Sequence, residues 1–354
     1  MNILKKITVD CERMKYPHTG LYNYCYHLGK ALIASNKIEQ KLCFYTPPSL
    51  SKIFGSDQCY IHQRQYHKVV FPSSPNIDLW HSTHQSTDYF PYREKLKLVL
   101  TIHDLNYLYG NARSELKKKI YIAALKRKIE RADHIVTISS FTLQDVQKHF
   151  DVENKPCSVI YNGCNIEEAG ILSTPVNAPH NPFLFTIGTL ADKKNFHVLP
   201  ALLQKNDMWL IIAGITQSES YKQKIIETAK QLSVRERVVF TGPVSENDKQ
   251  WYMKHCRAFV FPSISEGFGL PVVEAMYFGK PVLLSGHTSL PEIGGSAAYY
   301  FKNFDDKEMQ KTLEESLHDF EINKRSESIK ERALLFNWNK TAEQYHAVYK
   351  SLLD

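Results

Sequence analysis

The sequence lacks the features that mark disulfide-rich, membrane-spanning and metal-binding chains. Its seven cysteines are odd in number and form no C-x-x-C pair, so we expect reduced thiols, with zinc binding only as the minor alternative. No apolar run approaches the roughly 20 residues that cross a bilayer. The first residues contain no signal-peptide core or cleavage site, so secretion is not expected. No Asp-x-Asp pair follows a predicted strand, and we expect no metal and no other cofactor.

The composition is that of a globular protein with a large core. The chain has 354 residues, of which 43% are hydrophobic and 23% charged, which is comfortable for two domains. Strands are predicted to alternate with helices throughout. The predicted strands are 6–10, 41–46, 78–82, 97–103, 134–139, 158–161, 183–188, 209–213, 238–241, 258–261, 281–285 and 298–301. Many of these are continuous apolar runs, which is typical of parallel strands buried on both faces.

The two series of strands and helices are separated by a polar, proline-bearing stretch at 172–182. This stretch is the predicted linker. We therefore predict a first domain at 1–176, a second at 177–335 and a closing helical segment at 336–354. Two such series indicate two doubly wound α/β domains, whose ligands bind outside the carboxyl ends of the strands.

The net charge is +7, and much of the excess lies in one predicted helix at 114–131. Its basic residues include Lys117, Lys118, Lys119, Lys126, Arg127 and Lys128. One interpretation is a solvated helix face. The other is a patch that docks on anionic lipid headgroups, which would make a cytoplasmic protein peripheral on the inner membrane face. No nucleic-acid motif accompanies the charge, so nucleic acid is not an expected partner.

The most informative segment contains two carboxylates, Glu266 and Glu274, eight positions apart. It follows a predicted buried strand and leads into a helix that Pro271 opens and Gly279 closes. Glu266 is therefore predicted on the loop and Glu274 in the first turns of the helix. The backbone amides between them belong to Gly267, Phe268, Gly269 and Leu270. Amides at a helix N-terminus favour anions, so the segment suits a polyhydroxylated ligand that carries phosphate.

Three further elements are weaker signals. Gly20 precedes the first helix, His103 ends an apolar strand, and Lys193 and Lys194 follow the first strand of the second half. Each also has a purely structural interpretation, as a turn glycine, a core histidine and surface lysines. Their positions at predicted strand ends and helix starts favour a role in binding.

Together these elements resemble the retaining glycosyltransferases of family 4, of the type that builds bacterial surface polysaccharides. The resemblance is carried by Glu266 to Glu274, Gly20, His103-Asp104, Lys193-Lys194-Asn195, Leu290-Pro291-Glu292 and the tail from Phe336 to Leu353. It implies the GT-B fold, an α/β architecture of two doubly wound Rossmann-like domains facing across a cleft. The C-terminal helix would cross back to the first domain, which would bind the acceptor.

The resemblance also implies roles for single residues. Glu274 would accept hydrogen bonds from ribose hydroxyls, and Glu266 with the amides of Gly267 to Leu270 would hold the sugar. Lys193, Lys194 and the Gly20 amide would bind the diphosphate, and His103 would contact the transferred sugar. The catalytic set would thus be His103, Glu266 and Lys194. At two positions this sequence departs from the family pattern. Many relatives carry arginine where this chain has Thr189, and many also carry arginine where it has Lys193.

The implied activity is retaining transfer of a hexose from a nucleotide-diphosphate sugar to a glycan or lipid-linked glycan acceptor. The donor would be GDP-mannose or a UDP-sugar, and the pathway surface polysaccharide or lipopolysaccharide biosynthesis. Three alternatives stay open. They are a nucleotide-sugar 2-epimerase of the same fold, a glycogen-type phosphorylase, and a non-catalytic protein that binds sugar nucleotides or glycans.

Overall fold

A computed structural model describes residues 4–17, 19–36, 40–72, 77–92, 95–109, 114–167, 170, 172–176 and 178–354. The chain divides into two compact units. Unit 1 comprises Met1–Gly163 and Phe336–Asp354, and unit 2 comprises Cys164–Leu335. The predicted linker at 172–182 falls within unit 2, and its residue 177 lies outside the described residues.

Unit 1 is built on a seven-stranded parallel sheet. Its strands are β1 (Lys5–Asp10), β2 (Gln40–Thr46), β3 (Cys59–His62), β4 (Leu79–Ser82), β5 (Lys97–Ile102), β6 (His134–Thr137) and β7 (Cys157–Val159), in the order β3-β2-β1-β4-β5-β6-β7. The sequence predicted all of these except β3. This strand lies at the sheet edge, where its half-buried, partly polar residues produce no apolar run.

Unit 2 repeats the architecture with six parallel strands. These are β8 (Phe183–Ile187), β9 (Trp209–Ala213), β10 (Val238–Gly242), β11 (Ala258–Phe261), β12 (Val282–Ser285) and β13 (Tyr299–Phe301), in the order β10-β9-β8-β11-β12-β13. The strand order reverses between β8 and β11. In doubly wound sheets ligands bind in the crevice outside the carboxyl ends of the strands at such a reversal.

Helices cover the faces of both sheets, as their crossover connections require. They are α1 (Gly20–Ser35), α2 (Glu115–Arg131), α3 (Ser140–His149), α4 (Glu219–Gln231), α5 (Glu246–His255), α6 (Leu270–Tyr277), α7 (Leu290–Gly294), α8 (Asp306–Ile322), α9 (Ser326–Leu334) and α10 (Trp338–Leu353). Ser245 caps α5, where its side chain accepts a hydrogen bond from the Asp248 amide. Ser139 caps α3, where its side chain accepts a hydrogen bond from the Thr142 amide.

The last helix, α10, packs on α1 in unit 1. The buried hydroxyls of Tyr24 and Tyr345 are 2.7 Å apart, and the Tyr349 hydroxyl is 2.7 Å from Nδ1 of His81 on β4. Since buried hydroxyls must be paired to offset their desolvation, these contacts set the position of the helix. No helix in the described part of the chain is both long and apolar enough to span a bilayer.

The structure overturns the expectation that all cysteines are reduced. Cys43 on β2 lies opposite Cys59 on β3, and the two form a disulfide. Because β3 was not predicted, the sequence offered no reason to bring these two residues together.

The predicted basic patch on α2 needs one correction. Lys128 is only 8% exposed, and its Nζ donates to the carbonyls of Gln85 at 2.9 Å and Thr87 at 2.5 Å. Burial lowers the pKa of Lys128 to about 8. This lysine therefore stabilises the loop after β4 and is not part of a surface patch.

Candidate functional site

The loops that follow β8 and β11 meet at the point where the strand order of unit 2 reverses. The backbone carbonyl of Lys193 accepts hydrogen bonds from the Ile264 amide at 2.9 Å and the Ser263 hydroxyl at 3.1 Å. The Lys193 side chain itself is exposed. Lys193 thus connects the two loops through its backbone.

Lys194 and Glu266 form the ion pair at the centre of this region. Their Nζ and Oε1 atoms are 2.5 Å apart, and the side chains are 12% and 13% exposed. The ammonium also lies 4.8 Å from the ring centroid of Phe261, the last residue of β11. Low exposure weakens the screening of such charges. The pair can therefore present a localised cation and a carboxylate to a phosphorylated, hydroxylated ligand.

Two hydroxyl residues hold the Glu266 loop in place. The Glu266 amide donates to Oγ1 of Thr288 at 3.0 Å. The hydroxyl of Ser289 lies within donating distance of the carbonyls of Glu266 at 3.0 Å and Phe268 at 3.1 Å. Neither residue was predicted from the sequence, although both directly precede the Leu290-Pro291-Glu292 element. The signal that could have found them is their place after β12, the strand beside β11.

The start of α6 is built around Gly269. This residue has φ 103°, a left-handed conformation that glycine adopts without strain. A Cβ atom there would lie 2.9 Å from Cδ2 of Leu290. Gly269 is the N-cap of α6 and provides no side-chain hydrogen bond to the helix. The predicted change from loop to helix between Glu266 and Glu274 is confirmed.

Glu274 lies deeper than Glu266, with 3% exposure. Its Oε1 accepts hydrogen bonds from Nζ of Lys249 at 3.0 Å and Nδ2 of Asn165 at 3.1 Å. Burial raises the pKa of Glu274, and the Lys249 ammonium offsets part of this effect. Lys249 and Asn165 are distant in sequence from the Glu266 segment, so sequence reasoning missed them.

The remaining predicted site residues, Gly20 and His103, belong to unit 1. A Cβ atom at Gly20 would meet no atom of the described chain within 4 Å, so packing does not require glycine there. His103 is buried, and its Nε2 lies 2.8 Å from the Thr83 carbonyl. Burial lowers the pKa of His103 to about 4. The ring is therefore neutral, donates through Nε2 and leaves Nδ1 as an acceptor.

A buried ionic cluster at the end of β1 was also missed. Glu12 is 1% exposed and pairs with Lys15 at 2.9 Å and Arg13 at 3.2 Å. Asp10 accepts hydrogen bonds from the Thr87 hydroxyl and the Glu12 amide. Burial, followed by the Glu12 charge, raises the pKa of Asp10 to about 7. Asp10 is the last residue of β1, and Glu12 begins a short 3₁₀ helix before α1. These segments are too short for the periodicity of the sequence to indicate which side chains are buried.

No group of three or more His, Cys, Asp or Glu side chains among the described residues could hold a metal ion.

Two glycosyltransferase family models match this chain. The model of the glycosyl transferases group 1 matches residues 174–334, and that of Glycosyltransferase Family 4 matches residues 20–168. The two models together span most of the chain. The chain thus carries a glycosyl transferases group 1 domain and a Glycosyltransferase Family 4 domain, and its two parallel sheets are those of the GT-B fold.

Characterised relatives share moderate identity. The O-antigen chain mannosyltransferase RfbU of Salmonella typhimurium is 27% identical over 221 residues, which are 61% of this chain and 59% of that protein. The serotype-specific mannosyltransferase WbdA of Escherichia coli is 29% identical over 268 residues, 70% of this chain and 32% of that protein. The chain therefore spans less than two thirds of the length of either relative.

A solved structure of HepE from Anabaena in complex with UDP and glucose has the same fold. It superposes with a TM-score of 0.72 over 98% of this chain and all of that one, at 16% identity. This likeness confirms the predicted pair of parallel Rossmann-like sheets.

Proposed function

We propose that this protein is a retaining hexosyltransferase. Unit 2 binds a nucleotide-diphosphate sugar, and the hexose is transferred to a glycan or lipid-linked glycan acceptor during synthesis of a bacterial surface polysaccharide. The observation that carries the proposal is the Lys194–Glu266 pair at 2.5 Å. It lies at the reversal point of the sheet and beside the N-terminus of α6, the place where doubly wound sheets bind ligands.

The roles follow from charge. The bond between the anomeric carbon and the diphosphate oxygen breaks, and negative charge develops on that oxygen. The Lys194 ammonium stabilises this charge, and the exposed Lys193 adds a second cation. Glu266 accepts hydrogen bonds from sugar hydroxyls. The acceptor oxygen attacks the same face that the diphosphate leaves, and the acceptor's proton passes to the departing diphosphate. Anomeric configuration is thereby retained.

The donor is proposed from the comparisons. Both relatives named above are mannosyltransferases, which favours GDP-mannose. The structure of HepE contains UDP and glucose, which makes a UDP-sugar the second candidate. Thr189 stands where the resemblance implies an arginine, so the diphosphate would depend on lysines, which act as point charges without a bidentate fork.

Nucleoside diphosphates should stabilise the protein against heat. A ligand at about 100 times its Kd adds about 2.7 kcal/mol to the free energy of unfolding by mass action. We expect GDP or UDP to raise the Tm in a thermal-shift screen, and the matching nucleosides, as the control, to leave it unchanged. If no nucleoside diphosphate raises the Tm, the proposed donor site is wrong.

We also propose that α2 docks the protein on the anionic inner face of the membrane. Leu116 and Ile120 are 68% and 60% exposed, and the exposed Lys117, Lys119 and Arg127 lie around them on the same helix. Exposed apolar residues flanked by cations are typical of helices that lie at a membrane surface. The location would then be cytoplasmic and peripheral.

Binding to vesicles should depend on these cations. We expect the wild type to co-sediment with vesicles containing phosphatidylglycerol at low salt. The variant K117Q/K119Q/R127Q should lose most of this binding, since each basic residue contributes about 1 kcal/mol at such a surface. The matched control K307Q/K311Q/K324Q removes three lysines exposed on unit 2. Equal binding by the two variants would contradict docking through α2.

A further inference from the structure

The carboxylate of Glu274 is held at one oxygen only. Lys249 and Asn165 both donate to Oε1, at 3.0 and 3.1 Å. Oε2 receives no hydrogen bond from the described residues. Oε2 is not one of the fully buried polar atoms that lack a partner, so it is open to a ligand that donates a hydrogen bond to a carboxylate oxygen.

Lys249 is itself buried, with 6% exposure. Its Nζ bridges Glu274 and Glu246, the latter at 2.8 Å. Helix α5 carries both Lys249 and Glu246. It also contacts the segment just after Asn165, because Gln250 donates to the carbonyl of Glu167 at 3.3 Å. The ammonium thus occupies a place that the surrounding backbone determines.

We propose that Lys249 is a positioning residue that keeps Glu274 ionised and turns its Oε2 toward the ribose hydroxyls of the donor. This inference rests on the proposed function, in which unit 2 binds a nucleotide-diphosphate sugar. Lys249 acts through Glu274 and does not touch the substrate.

The electrostatics of the pair support this role. The titratable groups that face Glu274 are Lys249, Glu246 and Cys164. Burial raises the pKa of Glu274, and the Glu246 charge adds to that effect, whereas Lys249 opposes both. Burial alone would lower the pKa of Lys249, but the carboxylates of Glu274 and Glu246 hold it above its usual value. Lys249 therefore stays charged.

Removal of the Lys249 ammonium should change the pKa of Glu274 in a known direction. The pKa of Glu274 would rise further, so the carboxyl would take up a proton as the pH falls. A protonated carboxyl offers a donor where the ribose needs an acceptor. Recognition of the ribose would then weaken, and more strongly at acidic pH.

The test is calorimetric titration with the nucleoside diphosphate that binds the wild type best and with its 2′-deoxy analogue, at about pH 6 and about pH 8. The wild type should prefer the ribonucleotide by about tenfold or more, the value of a hydrogen bond to a charged group. Lys249→Gln keeps a donor but removes the charge, so its preference should fall toward one, most at the lower pH. Lys249→Arg should retain the preference, and Lys254→Met, at an exposed position of the same helix, should match the wild type.

If Lys249→Gln prefers the ribonucleotide as strongly as the wild type does at both pH values, the inference about Lys249 is wrong, whereas the proposed function still stands. Failure of the wild type to bind any nucleoside diphosphate would overturn the proposed function and the inference with it. If Lys249→Gln does not unfold cooperatively, the variant is not folded well enough for this test. A second comparison, made in the Glu274→Gln background, then tests the inference. Adding Lys249→Met to Glu274→Gln should change the preference no further, because Lys249 acts through Glu274. An additional loss would contradict the inference.

Discussion

Replacing Lys194 by alanine is expected to lower kcat by about 10²- to 10³-fold, the usual effect of removing one preorganised charge from a transition state. The ammonium is 12% exposed, lies 2.5 Å from Glu266 and packs over the Phe261 ring. Its place is therefore set before the donor binds. Because negative charge on the leaving diphosphate grows during the reaction, a cation held in this way contributes more to the transition state than to the bound donor.

The measurement is the initial rate of nucleoside diphosphate release from the donor, with a lipid-linked glycan or water as acceptor. Lys205→Ala, at an exposed position of unit 2, is the control and should behave as wild type. Lys193→Ala should have a smaller effect than Lys194→Ala because its side chain is exposed. A Lys194→Ala rate close to wild type would contradict the role. NMR of the wild-type product in the same assay reports whether the anomeric configuration is retained.

A companion variant separates an enzyme from a binding protein. Glu266→Ala should abolish turnover yet leave the affinity for the nucleoside diphosphate nearly intact, because Glu266 is proposed to bind the sugar. Donor incubated without acceptor tests the epimerase alternative, since an epimerase would convert the donor and a transferase would only hydrolyse it slowly.

Gly214→Ala is expected to be the most destabilising substitution at any single glycine of unit 2. Gly214 follows β9 and has φ +130°, and a Cβ atom there would lie 2.0 Å from the carbonyl oxygen of Gly188. The strained conformation costs about 1–3 kcal/mol, and overpacking against backbone adds about 1–3 kcal/mol more. We therefore expect a loss of about 3 kcal/mol or more in the free energy of unfolding.

Chemical denaturation followed by circular dichroism measures this loss. Gly286→Ala is the matched control, because a Cβ atom at Gly286 meets nothing within 4 Å and its φ is not positive. A similar stability for the two variants would show that the Gly188 backbone moves to make room. Gly188 begins the loop that carries Lys194, so such a movement would also be detected as a change in turnover.

Much of the fold could be predicted because its strands are long apolar runs. Segments such as Ala258–Phe261 and Trp209–Ala213 were placed with their correct bounds, since strands buried on both faces are near-continuous apolar runs. The edge strand β3 was not predicted because half-buried residues produce no such run. The Cys43–Cys59 disulfide was not predicted either, because Cys59 lies on β3.

The site was predicted only as far as local sequence reaches. The Glu266-to-Glu274 segment can be recognised from its glycines, its proline and its two carboxylates, because these residues lie close together along the chain. Thr288, Ser289, Lys249 and Asn165 carry no such signal. They reach the segment only through the order of strands and the packing of α5, and their contacts join residues far apart in the chain.

The sequence by itself determined that the chain forms parallel α/β units and that a loop-to-helix turn with two acidic residues follows one buried strand. Periodicity and backbone chemistry are local properties, so they can be read along the chain. Only the tertiary structure decided that Lys194 pairs with Glu266, that Glu274 is buried against Lys249, and that Lys128 lies inside the protein. Whether a charged side chain is solvated or paired depends on which distant segments surround it, and that is settled when the sheets assemble.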